Sequence, residues 1–98
     1  NPEVEKTVAE KIQQEFPAMP NYDLPNGKIK IPAAWLIEQC GWKGKHIGNT
    51  GNHAKQALVI VNYGNATGNE IWQHALAVQK SVQDKFGVLL EAEVNIIL

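Results

Sequence analysis

The chain has 98 residues, 44% of them hydrophobic and 19% charged, with a formal net charge of −1. That is enough for one small domain around one core, and it gives no global electrostatic reason to expect nucleic acid or a membrane as partner. All nine basic residues are lysines, so the arginine forks that commonly read guanine edges are missing, and the single cysteine, Cys40, suits a reducing compartment without an internal disulfide.

Asn1-Pro2-Glu3 reads as a helix start, with a capping amide, Pro in the first turn and an acid near the positive end of the dipole. Val4, Val8, Ile12 and Phe16 recur every four residues as one apolar stripe until Pro17 stops it. From Pro17 to Gly27, Pro20, Asn21, Pro25 and Asn26 enforce an irregular loop. Lys28-Ile29-Lys30-Ile31 alternates and predicts a short strand. Pro32 opens a second helix that runs to Cys40, where Gly41 supplies the stop. Residues 42–53 are rich in Gly and Asn and read as loop, with a short strand near His46 and Ile47.

Gln56 to Asn62 contains the unbroken apolar run Ala57–Val61, as expected of a central strand covered on both faces. The run is far too short to cross a bilayer, and no signal peptide is visible. Thr67-Gly68-Asn69-Glu70 has capping-box spacing and opens a third helix with the stripe Ile71, Ala75, Val78, Val82 and Phe86, ended by Gly87. In the last stretch Leu90, Ala92, Val94, Ile96 and Leu98 alternate with Glu91, Glu93 and Asn95, which predicts a final strand. The order helix, strand, helix, loop, strand, helix, strand predicts an α+β fold. Residues 1–98 form a single domain with a small sheet and helices packed against it.

Charge is unevenly spread. Residues 28–55 carry Lys28, Lys30, Lys43, Lys45 and Lys55 against Glu38 alone, so an anionic ligand is sought there, beside the plainer reading of a lysine-rich surface. His46, His53, His74 and Cys40 lack zinc-ligand spacing, so no metal site is expected. His74 falls between stripe positions and is placed at the surface. Cys40 reads as a small buried hydrophobe, with a nucleophilic Cys-His pair left open. Gly48-Asn49-Thr50-Gly51-Asn52 is either a plain turn or a set of amides that could meet a phosphate. Gln56 opens the most apolar strand, where its partly desolvated amide is either a strand-end satisfier or a ligand contact. Glu91 and Glu93 are either the wet side of a strand, or one of them points at a substrate.

The succession Asn1-Pro2, Pro20-Asn21-Tyr22, Lys30-Ile31-Pro32, Trp35-Leu36-Ile37-Glu38-Gln39-Cys40-Gly41-Trp42-Lys43-Gly44, Ile47-Gly48, His53, Gln56-Ala57-Leu58-Val59 and Leu90-Glu91-Ala92-Glu93-Val94 covers essentially the whole chain. It resembles the C-terminal, substrate-binding domain of the UDP-N-acetylenolpyruvoylglucosamine reductases (MurB), flavoenzymes of bacterial peptidoglycan synthesis and so of cell-wall biogenesis, cell shape and cell division. The resemblance implies a cytoplasmic oxidoreductase in which NADPH reduces FAD and the flavin passes a hydride to UDP-N-acetylglucosamine enolpyruvate. Protonation of the carbanion-like intermediate then gives UDP-N-acetylmuramate. It further implies Glu93 as the catalytic carboxylate, and Asn1, Tyr22, Lys30, Gln56 and, less directly, Lys43 as contacts to the nucleotide and diphosphate.

The family's flavin-binding domains, its proton-donating serine and a substrate-polarising arginine would all precede Asn1, so residues 1–98 alone are expected to bind no flavin and not to turn over. Asn95 stands where some members carry arginine. The competing readings are a non-catalytic nucleotide- or RNA-binding module using the lysine-rich middle, and a purely structural interaction domain.

Overall fold

A computed structural model describes residues 1–90 and the backbone of 95–97. In chain order the elements are β1 (Glu3–Val4), α1 (Lys6–Glu15), β2 (Tyr22–Asp23), β3 (Ile29–Lys30), α2 (Ala33–Gln39), β4 (His46–Ile47), β5 (Thr50–Asn52), β6 (Val59–Asn62), α3 (Gly68–Phe86) and β7 (Asn95–Ile97). The class is α+β, as the order of apolar patterns predicts. The strands, however, make two sheets among the described residues: an antiparallel one in the order β1-β3-β2 and a mixed one in the order β4-β5-β6-β7.

The first helix begins at Lys6 rather than at Asn1. Sheet pairing takes the preceding residues: Glu3 pairs with Lys30, Val4 with Ile29, and the Ile31 amide donates to the Pro2 carbonyl at 3.1 Å. Proline has no amide to give a ladder, which suits the edge position of this segment. The apolar stripe faces the core nonetheless, but runs from β1 through α1: Ile12 is buried, and Val4 of β1, Val8 and Phe16 pack partly buried against the core. The rings of Phe16, Trp35 and Phe86 meet with centroids 5.3–5.8 Å apart and tie α1, α2 and α3 together. Each such pair adds about 0.5–1.5 kcal/mol beyond simple burial. Ile31, Leu36 and Val82 are fully enclosed beside this triangle.

Helix α3 carries the capping box its sequence announces. The Thr67 hydroxyl accepts from the Glu70 amide at 3.1 Å, and a Glu70 carboxylate oxygen accepts from the Thr67 amide at 3.1 Å. Gly87 ends the helix with φ +68°, a left-handed conformation that favours glycine. The helix also supplies the crossover that lets β7 lie parallel to β6, Val59 pairing with Asn95 and Val61 with Ile97.

Three sequence expectations change in the second sheet. The glycine-rich run is neither a free turn nor an anion loop. Gly48-Asn49 turns a hairpin, and Thr50, Gly51 and Asn52 form its buried second strand. β6 is interior to its sheet, but only Ile60 is buried in it while Val59 and Val61 are half-buried. His74, expected at the surface, is 3% exposed and faces β5. Leu89 is 64% exposed and Leu90 is buried, as the final alternation predicts at its start. Glu91, Ala92, Glu93, Val94 and Leu98 lie outside the described residues.

Candidate functional site

Tyr22, Lys30 and Glu3 form one row across the three-stranded sheet, because Lys30 pairs with Tyr22 on one side and with Glu3 on the other. Directly opposed residues of antiparallel strands share a face. Lys30 Nζ stands 5.4 Å from the Tyr22 ring centroid, within cation–π range, and the ring is 53% exposed. Tyr22 therefore sits on a strand rather than on the irregular loop its prolines suggest. The strand is made by a tight turn in which the Leu24 amide donates to Lys28 O at 2.9 Å and Gly27 adopts φ +82°.

Asn1 joins this sheet from its edge. Its side-chain Oδ1 accepts from the Ala33 amide at 3.0 Å, so it caps α2 across 32 residues of sequence instead of a helix of its own. With Oδ1 so engaged, the amide's Nδ2 makes no hydrogen bond among the described residues and is left as a donor. Tyr22 and Lys30 are thus brought together, while the Asn1 side chain is held at the start of α2.

Lys43 and Gln56 belong to the other sheet, and no hydrogen bond or ion pair among the described residues links them to the first group. Lys43 forms a bridge with Asn52 and an ion pair with Glu38 at 3.5 Å, which partly offsets its charge. Gln56 is exposed and lies in the turn ahead of β6, not in the desolvated strand position its sequence implies. Its carbonyl accepts from the Val59 amide at 2.9 Å. Of the five lysines of residues 28–55, only Lys30 lies in a strand, and the other four stand in the connecting segments of the two sheets.

Between the sheets lies a cavity of about 740 Å³, bordered by Asn1, Lys28, Leu58, Ile60, Gln79 and Leu90. Gln79 Nε2 donates to Leu90 O at 2.6 Å. Leu90 lines the cavity, and β6, which contributes Ile60 to it, pairs with β7 from Asn95 on. Tyr22 and Lys30 do not border this cavity; an exposed ring beside an ammonium is the kind of pair that suits an anionic ligand with a planar ring.

The buried polar residues are the part of the structure that sequence reading missed. His74 Nε2 lies 2.7 Å from Asn52 Oδ1, His74 Nδ1 lies 2.9 Å from Thr50 Oγ1, and Asn52 Nδ2 donates to Ala57 O at 2.7 Å. The only available signal was a histidine one turn along α3 from the stripe residue Ile71, opposite a run of polar residues that folds as a strand. Burial lowers the His74 pKa below the ordinary histidine value of 6.5, and the charge of Lys45 lowers it further. Burial raises the Cys40 thiol, with Lys85 opposing, so at neutral pH the thiol stays protonated and is a poor nucleophile.

Among the described residues no three His, Cys, Asp or Glu side chains cluster as metal ligands, and no helix is long and apolar enough to cross a membrane. In the one glycine-rich run Gly48 and Asn49 are exposed, while Thr50–Asn52 are buried and paired in β5.

Residues 17–97 match the family described as UDP-N-acetylenolpyruvoylglucosamine reductase, C-terminal domain. The chain is 52% identical to the UDP-N-acetylenolpyruvoylglucosamine reductase of Flavobacterium johnsoniae, covering 99% of this chain and 29% of the relative. It is 50% identical to the protein of the same name from Amoebophilus asiaticus, with the same coverages, and 46% identical to that of Porphyromonas gingivalis over 100% of this chain and 29% of the relative. The chain therefore spans under a third of the length of these curated relatives.

Proposed function

The chain belongs to the UDP-N-acetylenolpyruvoylglucosamine reductase family as its C-terminal domain, and from that premise we propose that it is the substrate-binding part of a bacterial, cytoplasmic reductase of peptidoglycan synthesis. The substrate is UDP-N-acetylglucosamine enolpyruvate. FAD and NADPH, which would supply the hydride, are assigned to other parts of the longer protein; this chain spans under a third of the relatives' length. Its own residues bind the sugar nucleotide and handle a proton.

In this reading the Tyr22 ring takes the flat face of the uracil, and Lys30 and the free amide of Asn1 take diphosphate oxygens. Gln56 and Lys43 contact the nucleotide from the second sheet, Lys43 only after loosening its pair with Glu38. Glu93 acts at the enolpyruvyl group, where a carboxylate can organise the proton added to the intermediate. The observation that supports the proposal is the pairing of Tyr22 with Lys30 across one small sheet, an exposed ring beside an ammonium. Asn1 lies two residues before Glu3, which pairs with Lys30 on the other side.

Titration of residues 1–98 with the UDP-sugar and with single-stranded RNA separates this reading from a nucleic-acid module. UDP-sugar binding that Lys30→Ala weakens is expected, while RNA binding without UDP-sugar binding would reverse the assignment. Residues 1–98 alone are expected to be inactive. A yellow preparation that oxidises NADPH would contradict that.

A further inference from the structure

Asn52 is 1% exposed, and its amide spans two elements. Nδ2 donates to the carbonyl of Ala57, the residue after Gln56, at 2.7 Å. That bond fixes Oδ1 as an acceptor, so His74 Nε2, 2.7 Å away, must carry the ring proton. His74 Nδ1 is then an acceptor and takes the hydroxyl proton of Thr50 at 2.9 Å, a proton also within reach of Ile47 O at 3.0 Å. A neutral imidazole with both nitrogens satisfied is thereby locked in one tautomer, with the Trp42 ring edge packed on it at 5.2 Å between centroids.

The turn of residues 53–58 is otherwise held by its own backbone and by His53. The His53 amide donates to Val59 O at 2.8 Å, the Val59 amide to Gln56 O at 2.9 Å, and the Lys55 amide to His53 Nδ1 at 3.0 Å. The Asn52–Ala57 bond adds a side-chain tether from the buried interior, and His74 connects it to a helix capped at both ends. A leucine at position 74 would continue the apolar packing without the desolvation that a buried imidazole must offset. What the imidazole adds is a fixed orientation of Asn52, and through it a fixed height for the Gln56 backbone.

We propose that His74, acting through Asn52, is a positioning residue for the nucleotide contact of Gln56; the inference rests on the role given to Gln56 under the proposed function. In the intact flavoenzyme, His74→Leu keeps the volume but removes the donor to Asn52 and the acceptor for Thr50. KM for the UDP-sugar is expected to rise roughly ten- to a hundredfold, the scale of a displaced binding group, with kcat changed by less than about threefold. His74→Gln, whose amide can donate to Asn52, recovers most of the loss. Combining His74→Leu with Gln56→Ala is no worse than Gln56→Ala alone.

Hydrogen exchange without substrate reads the tether directly: the Lys55 and Val59 amides exchange faster in His74→Leu. Unchanged exchange at those amides, additive effects of the two substitutions, or a lowered Tm with an unchanged KM would each overturn the proposal. If Gln56→Ala leaves KM unaltered while His74→Leu still speeds exchange, the proposal falls at its premise, Gln56, and not at the tether.

Discussion

His74 makes the stability of the domain sensitive to acid. Its native pKa lies below 6.5, first because it is buried and then because Lys45 is near. The unfolded chain therefore takes up the proton near 6.5 while the native state resists it. Stability from this group is complete above that value and is lost as pH falls below 6.5 toward the native pKa. Urea midpoints measured between about pH 7.5 and pH 5.5 should fall more steeply for the wild type than for His74→Gln. Equal slopes would mean that the imidazole titrates as if exposed. Gly51 makes a second residue-level case. A Cβ there would lie 2.8 Å from both the Lys45 carbonyl and the Tyr63 ring, whose face stacks on His46 at 4.0 Å. Gly51→Ala should cost about 1–3 kcal/mol, because backbone as well as a ring must move. A change below about 0.5 kcal/mol on denaturant titration, the range of ordinary surface substitutions, would show that the hairpin yields freely.

At the scale of elements, the helices were legible because their ends are written in residue chemistry. Thr67 and Glu70 cap α3 and Gly87 closes it, and Pro32 and Gly41 bracket α2. Thr67→Ala should lower stability by about 1 kcal/mol, seen as a fall in Tm of several degrees for a domain of this size; an unchanged Tm would mean the cap is idle. The short strands were not legible. A pair such as Glu3–Val4 or Tyr22–Asp23 has no period to read, and its strand character comes wholly from β3 between them. Asn1 illustrates the same limit: its capping chemistry was evident, but the helix it caps begins at Ala33. β5 was hidden by its glycine and asparagine, which usually signal turns but here suit close packing under His74 and Tyr63.

For the whole molecule, one aromatic triangle ties the three helices, and the two sheets flank the cavity beside it. Truncating Phe86 to Ala removes two of the triangle's three contacts and should cost about 3–5 kcal/mol, a large share of a small domain's stability. The candidate site was only partly legible in the residues themselves. Local charge drew attention to residues 28–55, yet only Lys30 of those lysines lies in a strand, and only it lies beside Tyr22. The roles of Glu93 and Gln56 came from family resemblance, since neither alternation nor composition separates a reacting carboxylate from a solvated one.

The proposed role of Glu93 is to serve the protonation step on a sugar nucleotide held by Asn1, Tyr22 and Lys30. Steady-state kinetics of Glu93→Gln in the full-length protein would decide it. Turnover should drop by roughly a hundredfold or more, with KM for UDP-N-acetylglucosamine enolpyruvate little changed. Wild-type turnover in that variant would contradict the role given to Glu93 and leave its carboxylate the ordinary solvated group that alternation alone suggests.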